Sequence, residues 1–105
     1  MVPHLPEIVQ VDGIDIFYVA PGDLSQSMGL TGQTDHPQVR AIIDQSIRTI
    51  VEAGKVAGAL ANDANLDATL AKGVRFVGTS WESWLSSAAK GWTERVKAGA
   101  RAQQP

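Results

Sequence analysis

Short apolar segments alternate with amphipathic ones along this chain, and the alternation predicts strands that are each followed by a helix. The segment IDIFYVA (14–20) is rich in β-branched and aromatic residues and is bounded by Gly13 and Pro21. Apolar residues fill nearly every position of it, which is typical of a strand buried on both faces. VAGALA (56–61) and VRFVGTS (74–80) are short apolar segments as well. We therefore expect three strands.

The segment after Pro37 gives the clearest helical pattern. Its apolar residues recur at helical spacing, and charged residues occupy the opposite side of the same helix. Asp35 is the expected N-cap, because a carboxylate can accept a hydrogen bond from a free N–H group of the first turn, and Pro37 suits that turn. Gly54 is expected to end the helix, since glycine readily adopts the left-handed conformation found there.

Two more helices complete the pattern: a short one capped by Asn62 or Asp63, and an amphipathic one over about 81–97. Residues 98–105 are predicted to form a disordered tail. Alternating strands and helices predict an α/β domain over residues 1–105 with parallel strands and right-handed crossovers. Three parallel strands leave two unpaired edges, and three helices are too few to cover both faces. The chain is therefore interpreted as part of a larger α/β fold, either a doubly wound domain, which usually has five or six strands, or a (β/α)₈ barrel of about 250 residues.

Composition excludes several classes of function. The chain of 105 residues has nine Lys and Arg against eleven Asp and Glu, which argues against a general nucleic-acid binder. It contains no cysteine, so disulfide frameworks and thiol catalysis are excluded and a reducing cytoplasm is compatible. No apolar run approaches the roughly 18 residues that cross a bilayer, and no secretory leader opens the sequence. We expect a cytoplasmic protein without nucleic-acid or membrane partners.

The segment PGDLSQSMGLTGQTDHP (21–37) reads as a long polar loop, and such loops usually carry function. Asp23 stands at the carboxyl end of the first strand, where parallel α/β folds place ligand-binding groups, and a carboxylate there can bind a hard divalent cation. The same residue could instead cap a turn over 24–28. Gly22 would allow the backbone N–H groups of Gly22 and Asp23 to approach an anion, although Pro-Gly-Asp is also an ordinary turn sequence.

Other motifs of known chemistry are missing. His4 and His36 have no partner at metal-ligand spacing, and the chain contains no G-x-S-x-G, G-x-G-x-x-G or Walker lysine motif. Trp81, Trp84 and Trp92 fall close to one face of the last predicted helix. A tryptophan stripe at helical spacing indicates packing or a subunit interface more often than a cofactor site.

Three segments together resemble the carboxyl-terminal part of the HpcH/HpaI aldolase/citrate lyase family, which comprises metal-dependent class II pyruvate aldolases. They are DGIDIFYVAPGDLSQSMGLTGQTDHPQV, AGKVAGALA and LAKGVRFVGTSWESWL. The specific features are the P-x-D-L-S-x-x-M-G loop, the H-P-x-V that opens a helix, and G-K-x-x-G-x-L at the expected distance. The resemblance implies a partial TIM barrel of the phosphoenolpyruvate/pyruvate type, with these strands as the sixth, seventh and eighth.

The same resemblance implies roles for four residues. Asp23 matches one of two carboxylate ligands of Mg²⁺, Mn²⁺ or Co²⁺, while Gly22 and Asp23 would offer backbone N–H groups to the carboxylate of pyruvate. Pro21 would shape this loop, and Leu60 would lie against the bound 2-oxo acid. The implied reaction is cleavage of a 4-hydroxy-2-oxo acid to pyruvate and an aldehyde through a metal-stabilised enolate.

The chain departs from the family pattern at Ala20, at Gly22 and over TSWE (79–82). The family's glutamate ligand, arginine clamp and histidine base belong to earlier strands, so no catalytic residue is assigned and the chain alone is expected to lack activity. It is expected to form a homo-oligomer, with the last helix across the subunit boundary, or to require an amino-terminal half. The alternatives are an inactive half-barrel that serves as an assembly module and a flavodoxin-like anion binder using 21–25.

Overall fold

The structure is a computed structural model that describes residues 2–103. It contains three strands and five α-helices after a 3₁₀ turn at Val2–His4. The strands are β1 (Ile16–Val19), β2 (Val56–Leu60) and β3 (Phe76–Gly78). The helices are α1 (Leu5–Ile8), α2 (Pro21–Ser27), α3 (Pro37–Glu52), α4 (Leu66–Ala71) and α5 (Trp81–Ala102).

The three strands form one sheet in the order β1-β2-β3, and both neighbouring pairs are parallel. Tyr18 of β1 is paired with Gly58 of β2, which is paired in turn with Phe76 of β3. The predicted α/β class with three parallel strands is therefore confirmed. Because the strands are parallel, their carboxyl ends lie at the same edge of the sheet.

Helix α3 covers one face of this sheet and creates most of the core. Its apolar side packs on β1 and β2, as the spacing of its isoleucines predicts. The core cluster comprises Val9, Ile47, Ile50, Ala57, Ala59 and Val74. The small alanines of β2 let the bulky isoleucines of α3 approach the strand closely, so this layer is closed to solvent.

The ends of α3 match the sequence pattern at one terminus only. Gly54 follows the helix with φ of 77°, as predicted for a residue in the left-handed conformation. The predicted N-cap Asp35 is wrong by one position. His36 is the N-cap, and its Nδ1 accepts a hydrogen bond from the backbone N–H of Gln38 at 3.2 Å.

The predicted loop after β1 begins instead with a helix, α2. Pro21 occupies its first turn, where proline costs no intrahelical hydrogen bond, and Asp23 lies in the same turn. Ser25 is fully buried, and its hydroxyl donates a hydrogen bond to the carbonyl oxygen of Gly22 at 2.8 Å. This contact ties the beginning of α2 to its middle, so the first turn after the strand is ordered rather than a loose loop.

The other face of the sheet is open to solvent. The sequence pattern predicts that β1 is buried on both faces, and this is wrong for the described residues. Ile16 and Tyr18 are 43% and 47% exposed, and Phe76 on β3 is 50% exposed. The side chains are apolar, as the pattern indicates, but no element of the described chain covers them.

Helix α5 extends away from the sheet, and none of its residues is buried. The molecule consequently measures 71 × 28 × 21 Å. The helix continues to Ala102, five residues beyond the predicted end at Lys97, while residues 104 and 105 lie outside the described part of the chain. Disorder over 98–105 stays a prediction. No helix within residues 2–103 is both long and apolar enough to cross a bilayer.

Candidate functional site

A cavity of about 390 Å³ lies at the carboxyl edge of the sheet. It is bounded by the segments that directly follow the three strands, because parallel strands deliver these segments to one edge. Its lining residues are Pro21, Gly22, Thr34, Leu60, Ala61, Asn62, Asn65, Thr79, Ser80 and Ser83.

Three of the four predicted site residues share this cavity: Pro21, Gly22 and Leu60. Asp23 does not line it. Asp23 instead lines a neighbouring cavity of about 420 Å³ beside β1 and α1, together with Phe17. Successive residues of a helix are rotated by about 100°, so neighbouring side chains in the first turn of α2 face different directions.

Asp23 is solvent-exposed, and among residues 2–103 it takes part in no salt bridge. Its carboxylate is therefore open to solvent and is not neutralised by a cation of the described residues. This arrangement is compatible with a ligand role, and it differs from that of Asp44, which is bound to Lys72 at 2.7 Å.

Gly22 leaves the beginning of α2 open. A methyl group added at its Cα would meet no atom within 4 Å, so the absence of a side chain leaves room for a ligand to reach the backbone. The first N–H groups of a helix have no partner within the helix, and those of Gly22 and Asp23 belong to this set. The first turn of α2 therefore offers free donors beside the cavity.

Two asparagines of the cavity, Asn62 and Asn65, form a reciprocal pair. Sequence reasoning considered Asn62 only as a helix cap and did not consider Asn65. Asn62 Oδ1 accepts hydrogen bonds from the backbone N–H groups of Ala64 and Asn65, both at 2.9 Å, and Asn65 Oδ1 accepts one from the N–H of Asn62 at 2.8 Å. The N-cap of α4 is Asn65, so the predicted cap at Asn62 or Asp63 is wrong. Asn62 instead orders the turn that precedes α4.

Sequence reasoning also missed the roles of Thr34 and of the residues after β3. Thr79, Ser80 and Ser83 line the cavity. The available signal was their position: Thr79 and Ser80 directly follow β3, just as Asn62 follows β2, and parallel strands bring such segments together. Over 79–82 the chain also departs from the pattern of the family that it resembles.

The described residues do not form a complete metal site. Within residues 2–103, no group of three or more His, Asp or Glu side chains is placed to hold a cation. Hard divalent cations take about six oxygen ligands, and the affinity of a site rises with the number of charged ligands. Asp23 can supply one carboxylate, and a single charged ligand does not by itself make a site of high affinity.

The tryptophan stripe lies on α5 and is largely open to solvent. Trp81 and Trp92 are 64% and 65% exposed. The indole N–H of Trp84 donates a hydrogen bond to the carboxylate of Asp63 at 3.0 Å, which links α5 to the turn before α4. The stripe is therefore an apolar surface that the described chain leaves uncovered.

Comparison with known proteins finds one matching family and several relatives of similar sequence. Residues 1–87 match the family model of the HpcH/HpaI aldolase/citrate lyase family. A 2-keto-3-deoxy-L-rhamnonate aldolase of Klebsiella pneumoniae is 45% identical over 83 residues, which are 78% of this chain and 31% of that protein. A 4-hydroxy-2-oxo-heptane-1,7-dioate aldolase of Shigella sonnei is 39% identical over 104 residues, 97% of this chain and 40% of that protein.

The fold agrees with these matches. A crystal structure of an HpcH/HpaI aldolase/citrate lyase family protein from Burkholderia cenocepacia superposes with a TM-score of 0.83 at 28% sequence identity. The superposition covers 91% of this chain and 38% of that protein, so the chain spans well under half the length of its relatives. The sequence match and the shared fold together establish that the chain belongs to the HpcH/HpaI aldolase/citrate lyase family.

Proposed function

We propose that this chain supplies part of the active site of a carbon–carbon lyase that cleaves a 4-hydroxy-2-oxo acid to pyruvate and an aldehyde. The observation that carries the proposal is the meeting of Pro21, Gly22 and Leu60 in one cavity at the carboxyl ends of adjacent parallel strands. Parallel α/β folds bind their ligands at this edge. Relatives of the chain are named aldolases, which supports this reaction class.

The chain would act as the last three βα units of a TIM barrel of the phosphoenolpyruvate/pyruvate type. Two observations support this part of the proposal. The chain superposes on 38% of the length of a family member, and one apolar face of its sheet is uncovered. Strands and helices from the remainder of a barrel would pair with the sheet edges and cover that face.

Within the assembled site, the chain's own residues would bind and orient the 2-oxo acid. The free N–H groups of Gly22 and Asp23 would donate hydrogen bonds to its carboxylate, and Gly22 leaves the space that this approach requires. The side chain of Leu60, which is 53% exposed within this chain, would contact the bound oxo acid and exclude water from it. Pro21 fixes the backbone at the beginning of the turn.

The carboxylate of Asp23 would be one ligand of a divalent cation, Mg²⁺, Mn²⁺ or Co²⁺, with the remaining protein ligands supplied from outside this chain. When bound, such a cation supplies Lewis-acid stabilisation of negative charge on an oxygen ligand. Asp23 is a candidate for this role because it directly follows Gly22 of the carboxyl-edge cavity, is solvent-exposed and makes no salt bridge among the described residues. It lines the neighbouring cavity in this structure, so the role requires its side chain to turn toward the carboxyl edge. The chain alone is expected to bind the cation weakly and to release no pyruvate.

The test is Asp23→Asn in the assembled enzyme, with Asp67→Asn as the matched control in the first turn of α4. Asp23→Asn should lower Mn²⁺ affinity and pyruvate release by at least about 10- to 100-fold, since even outer-shell changes at metal sites have effects of that size. Metal binding is measured by electron paramagnetic resonance and pyruvate by a coupled dehydrogenase assay. Unchanged Mn²⁺ affinity and unchanged pyruvate release would show that Asp23 is not a ligand of the cation.

A second candidate function is that of a catalytically inactive half-barrel that serves as an assembly module. The open face of the sheet favours it, because large exposed apolar patches mark interaction surfaces. The face carries Ile16, Tyr18, Leu60 and Phe76, each at least 43% exposed. A purified chain that sediments as a compact monomer would argue against this function, whereas a dimer that releases no pyruvate even with the missing units supplied would support it.

Helix α5 would provide a contact between copies of the protein, so that the assembled protein is a homo-oligomer. Trp81, Trp84 and Trp92 expose about half or more of their surface on a helix with no buried residue. Tryptophan is enriched in the central, desolvated part of protein interfaces. Replacing Trp92 with alanine should lower the sedimentation coefficient of the assembled protein if α5 joins two subunits, and an unchanged coefficient would place the contact elsewhere.

A further inference from the structure

Ser25 is the most enclosed polar residue of the described chain. It is 0% exposed, whereas the other buried polar residue, Ser46, is 5% exposed. A buried hydroxyl without a partner is unfavourable, and that of Ser25 donates a hydrogen bond to the carbonyl oxygen of Gly22 at 2.8 Å. Gly22 lines the cavity at the carboxyl edge. The buried hydroxyl is therefore bound directly to a wall of the proposed site.

The carbonyl that Ser25 holds belongs to the same peptide unit as the N–H of Asp23. A trans peptide unit is planar, so its oxygen and its N–H hydrogen point in opposite directions. Fixing the oxygen of Gly22 consequently fixes the direction of the Asp23 N–H. A hydrogen bond to the oxygen also polarises the unit and makes this N–H a better donor. Because glycine has more backbone freedom than other residues, this peptide unit needs such a contact.

Ser25 is itself held in place, so its hydroxyl is a fixed reference for this peptide unit. Its carbonyl oxygen accepts the N–H of Leu30 at 2.8 Å, and a series of turns begins there. The N–H of Gln33 donates to the carbonyl of Leu30 at 2.8 Å, and the N–H of His36 donates to that of Gln33 at 3.1 Å. His36 is the N-cap of α3. All these partners belong to the chain, so the arrangement does not depend on strands from outside it.

We propose that Ser25 is a positioning residue of the oxo-acid site: its hydroxyl holds the Gly22–Asp23 peptide so that the N–H meets the carboxylate of the 2-oxo acid. The inference rests on the proposed function and adds a residue that contacts neither substrate nor cation. Cleavage of the carbon–carbon bond leaves the charge of this carboxylate unchanged. Loss of the positioning contact should therefore weaken binding of the ground state and the transition state equally, which raises KM and leaves kcat unchanged.

Ser27 provides a matched comparison in the same helix. Its hydroxyl also donates to a carbonyl three residues earlier, that of Leu24, at 2.9 Å. Ser27 is exposed, however, and the peptide unit that it holds carries the N–H of Ser25. The N–H of Leu24 already donates to the carbonyl of Ala20 at 3.0 Å, so that of Ser25 lies beyond the free donors of the first turn. Loss of the Ser27 hydroxyl should leave the site unaffected.

The first experiment measures KM and kcat of Ser25→Ala and Ser27→Ala in the assembled, metal-loaded enzyme. The substrate is 4-hydroxy-2-oxopentanoate, which yields pyruvate and acetaldehyde. Ser25→Ala should raise KM about tenfold, which corresponds to about 1.4 kcal/mol, and leave kcat within about twofold. Ser27→Ala should change neither constant.

A hydroxyl that only stabilised the fold would act differently, because loss of folded enzyme lowers kcat and leaves KM unchanged. A change confined to kcat, an unchanged KM for Ser25→Ala, or an equal rise of KM in both variants would overturn the inference.

A graded variant and a spectroscopic measurement test the hydrogen bond itself. Ser25→Cys keeps a side chain of similar size but offers a thiol, which is a weak donor, so its KM should lie between those of the unsubstituted enzyme and Ser25→Ala. In the 105-residue chain alone, Ser25→Ala should move the ¹⁵N resonance of the Asp23 amide upfield, because its peptide unit loses polarisation. Ser27→Ala should leave that resonance in place. A KM outside this order, or an unmoved Asp23 resonance, would contradict the role of the hydroxyl.

The unsubstituted assembled enzyme separates this inference from the proposed function. If it releases pyruvate neither from 4-hydroxy-2-oxopentanoate nor from 4-hydroxy-2-oxo-heptane-1,7-dioate, the proposed function itself is contradicted. If it cleaves either substrate and Ser25→Ala has the same KM for that substrate, only the positioning role of Ser25 is contradicted.

Discussion

The two faces of the sheet are both apolar, but they differ in what covers them. On one face, Ala57 and Ala59 of β2 are buried against Ile47 and Ile50 of α3. On the other, Tyr18 and Phe76 remain about half exposed, even though their rings contact each other edge to face with centroids 6.4 Å apart. The difference shows that the sequence of the open face is suited to a buried environment that this chain does not itself provide.

Helices α3 and α5 show the same contrast. Both are amphipathic, yet α3 buries four residues and α5 buries none. Burial stabilises a helix more than intrinsic propensity does, so α3 is held by the sheet while α5 depends on its own hydrogen bonds and on the Trp84–Asp63 contact. An apolar stripe alone therefore does not determine whether a helix is packed, because its neighbours must be present.

The largest effect is expected from a pair of identical substitutions on the two faces. Ile50→Ala removes a side chain that is 1% exposed and leaves a cavity in the core, so it should lower the free energy of unfolding by about 2–5 kcal/mol. Ile16 is 43% exposed, so Ile16→Ala removes little buried apolar area. It should lower the free energy of unfolding by less than about 1 kcal/mol. Urea denaturation followed by circular dichroism measures both values.

Measurements on the assembled protein sharpen this comparison. In the assembled protein, Ile16→Ala should lower the free energy of unfolding by an amount closer to that of Ile50→Ala, because the open face would be covered. If the two substitutions cost the same in the purified chain alone, the open face is already buried, for example by self-association. A concentration-dependent unfolding midpoint would identify that case.

A smaller effect is expected from Gly58→Ala in the middle of β2. A Cβ atom at this position would lie 2.9 Å from Cδ2 of Tyr18 and 3.2 Å from Cδ1 of Phe76. Because both rings are half exposed, they can move aside, and the free energy of unfolding should fall by only about 1 kcal/mol. Gly78→Ala is the control, since its nearest neighbour would be the hydroxyl of Tyr18 at 3.3 Å.

The two glycine variants should be compared by thermal unfolding monitored by near-ultraviolet circular dichroism. Gly58→Ala should also weaken the edge-to-face signal of the ring pair, and Gly78→Ala should not. A Gly58→Ala chain as stable as the unsubstituted protein, with unchanged ring signals, would contradict the close packing of Tyr18 and Phe76 over β2.

Local periodicity was sufficient to predict the strands and α3. Each of these elements has its pattern within a few consecutive residues, and Gly54 follows α3 as expected. The convergence of Pro21, Gly22 and Leu60 was also predictable, since parallel strands bring their carboxyl ends to one edge. The family resemblance singled out Pro21 and Leu60, whereas Gly22 was also noted from its place after β1.

Features that depend on tertiary surroundings were not predictable. The almost continuous apolar sequence of β1 predicts burial of both faces, but it could not show that one face lacks a cover, because the sequence does not specify what packs on that face. Helix α2 was hidden by the glycine and polar residues of 21–27, which favour turns, and its order comes from the burial of Ser25. The asparagine pair required the geometry of the turn before α4, which spacing alone does not specify.

The smallest effect concerns the contact between α5 and the rest of the chain. Trp84→Phe keeps an aromatic ring but removes the N–H that donates to Asp63 at 3.0 Å, so it should cost at most about 1 kcal/mol at this exposed position. Its clearer consequence should be faster amide hydrogen exchange in the first turns of α5, measured by mass spectrometry on peptides over 81–90. Trp81→Phe is the control, because Trp81 is exposed and its N–H makes no hydrogen bond within the described residues. Equal exchange rates in the two variants would show that the hydrogen bond to Asp63 does not stabilise the first turns of α5.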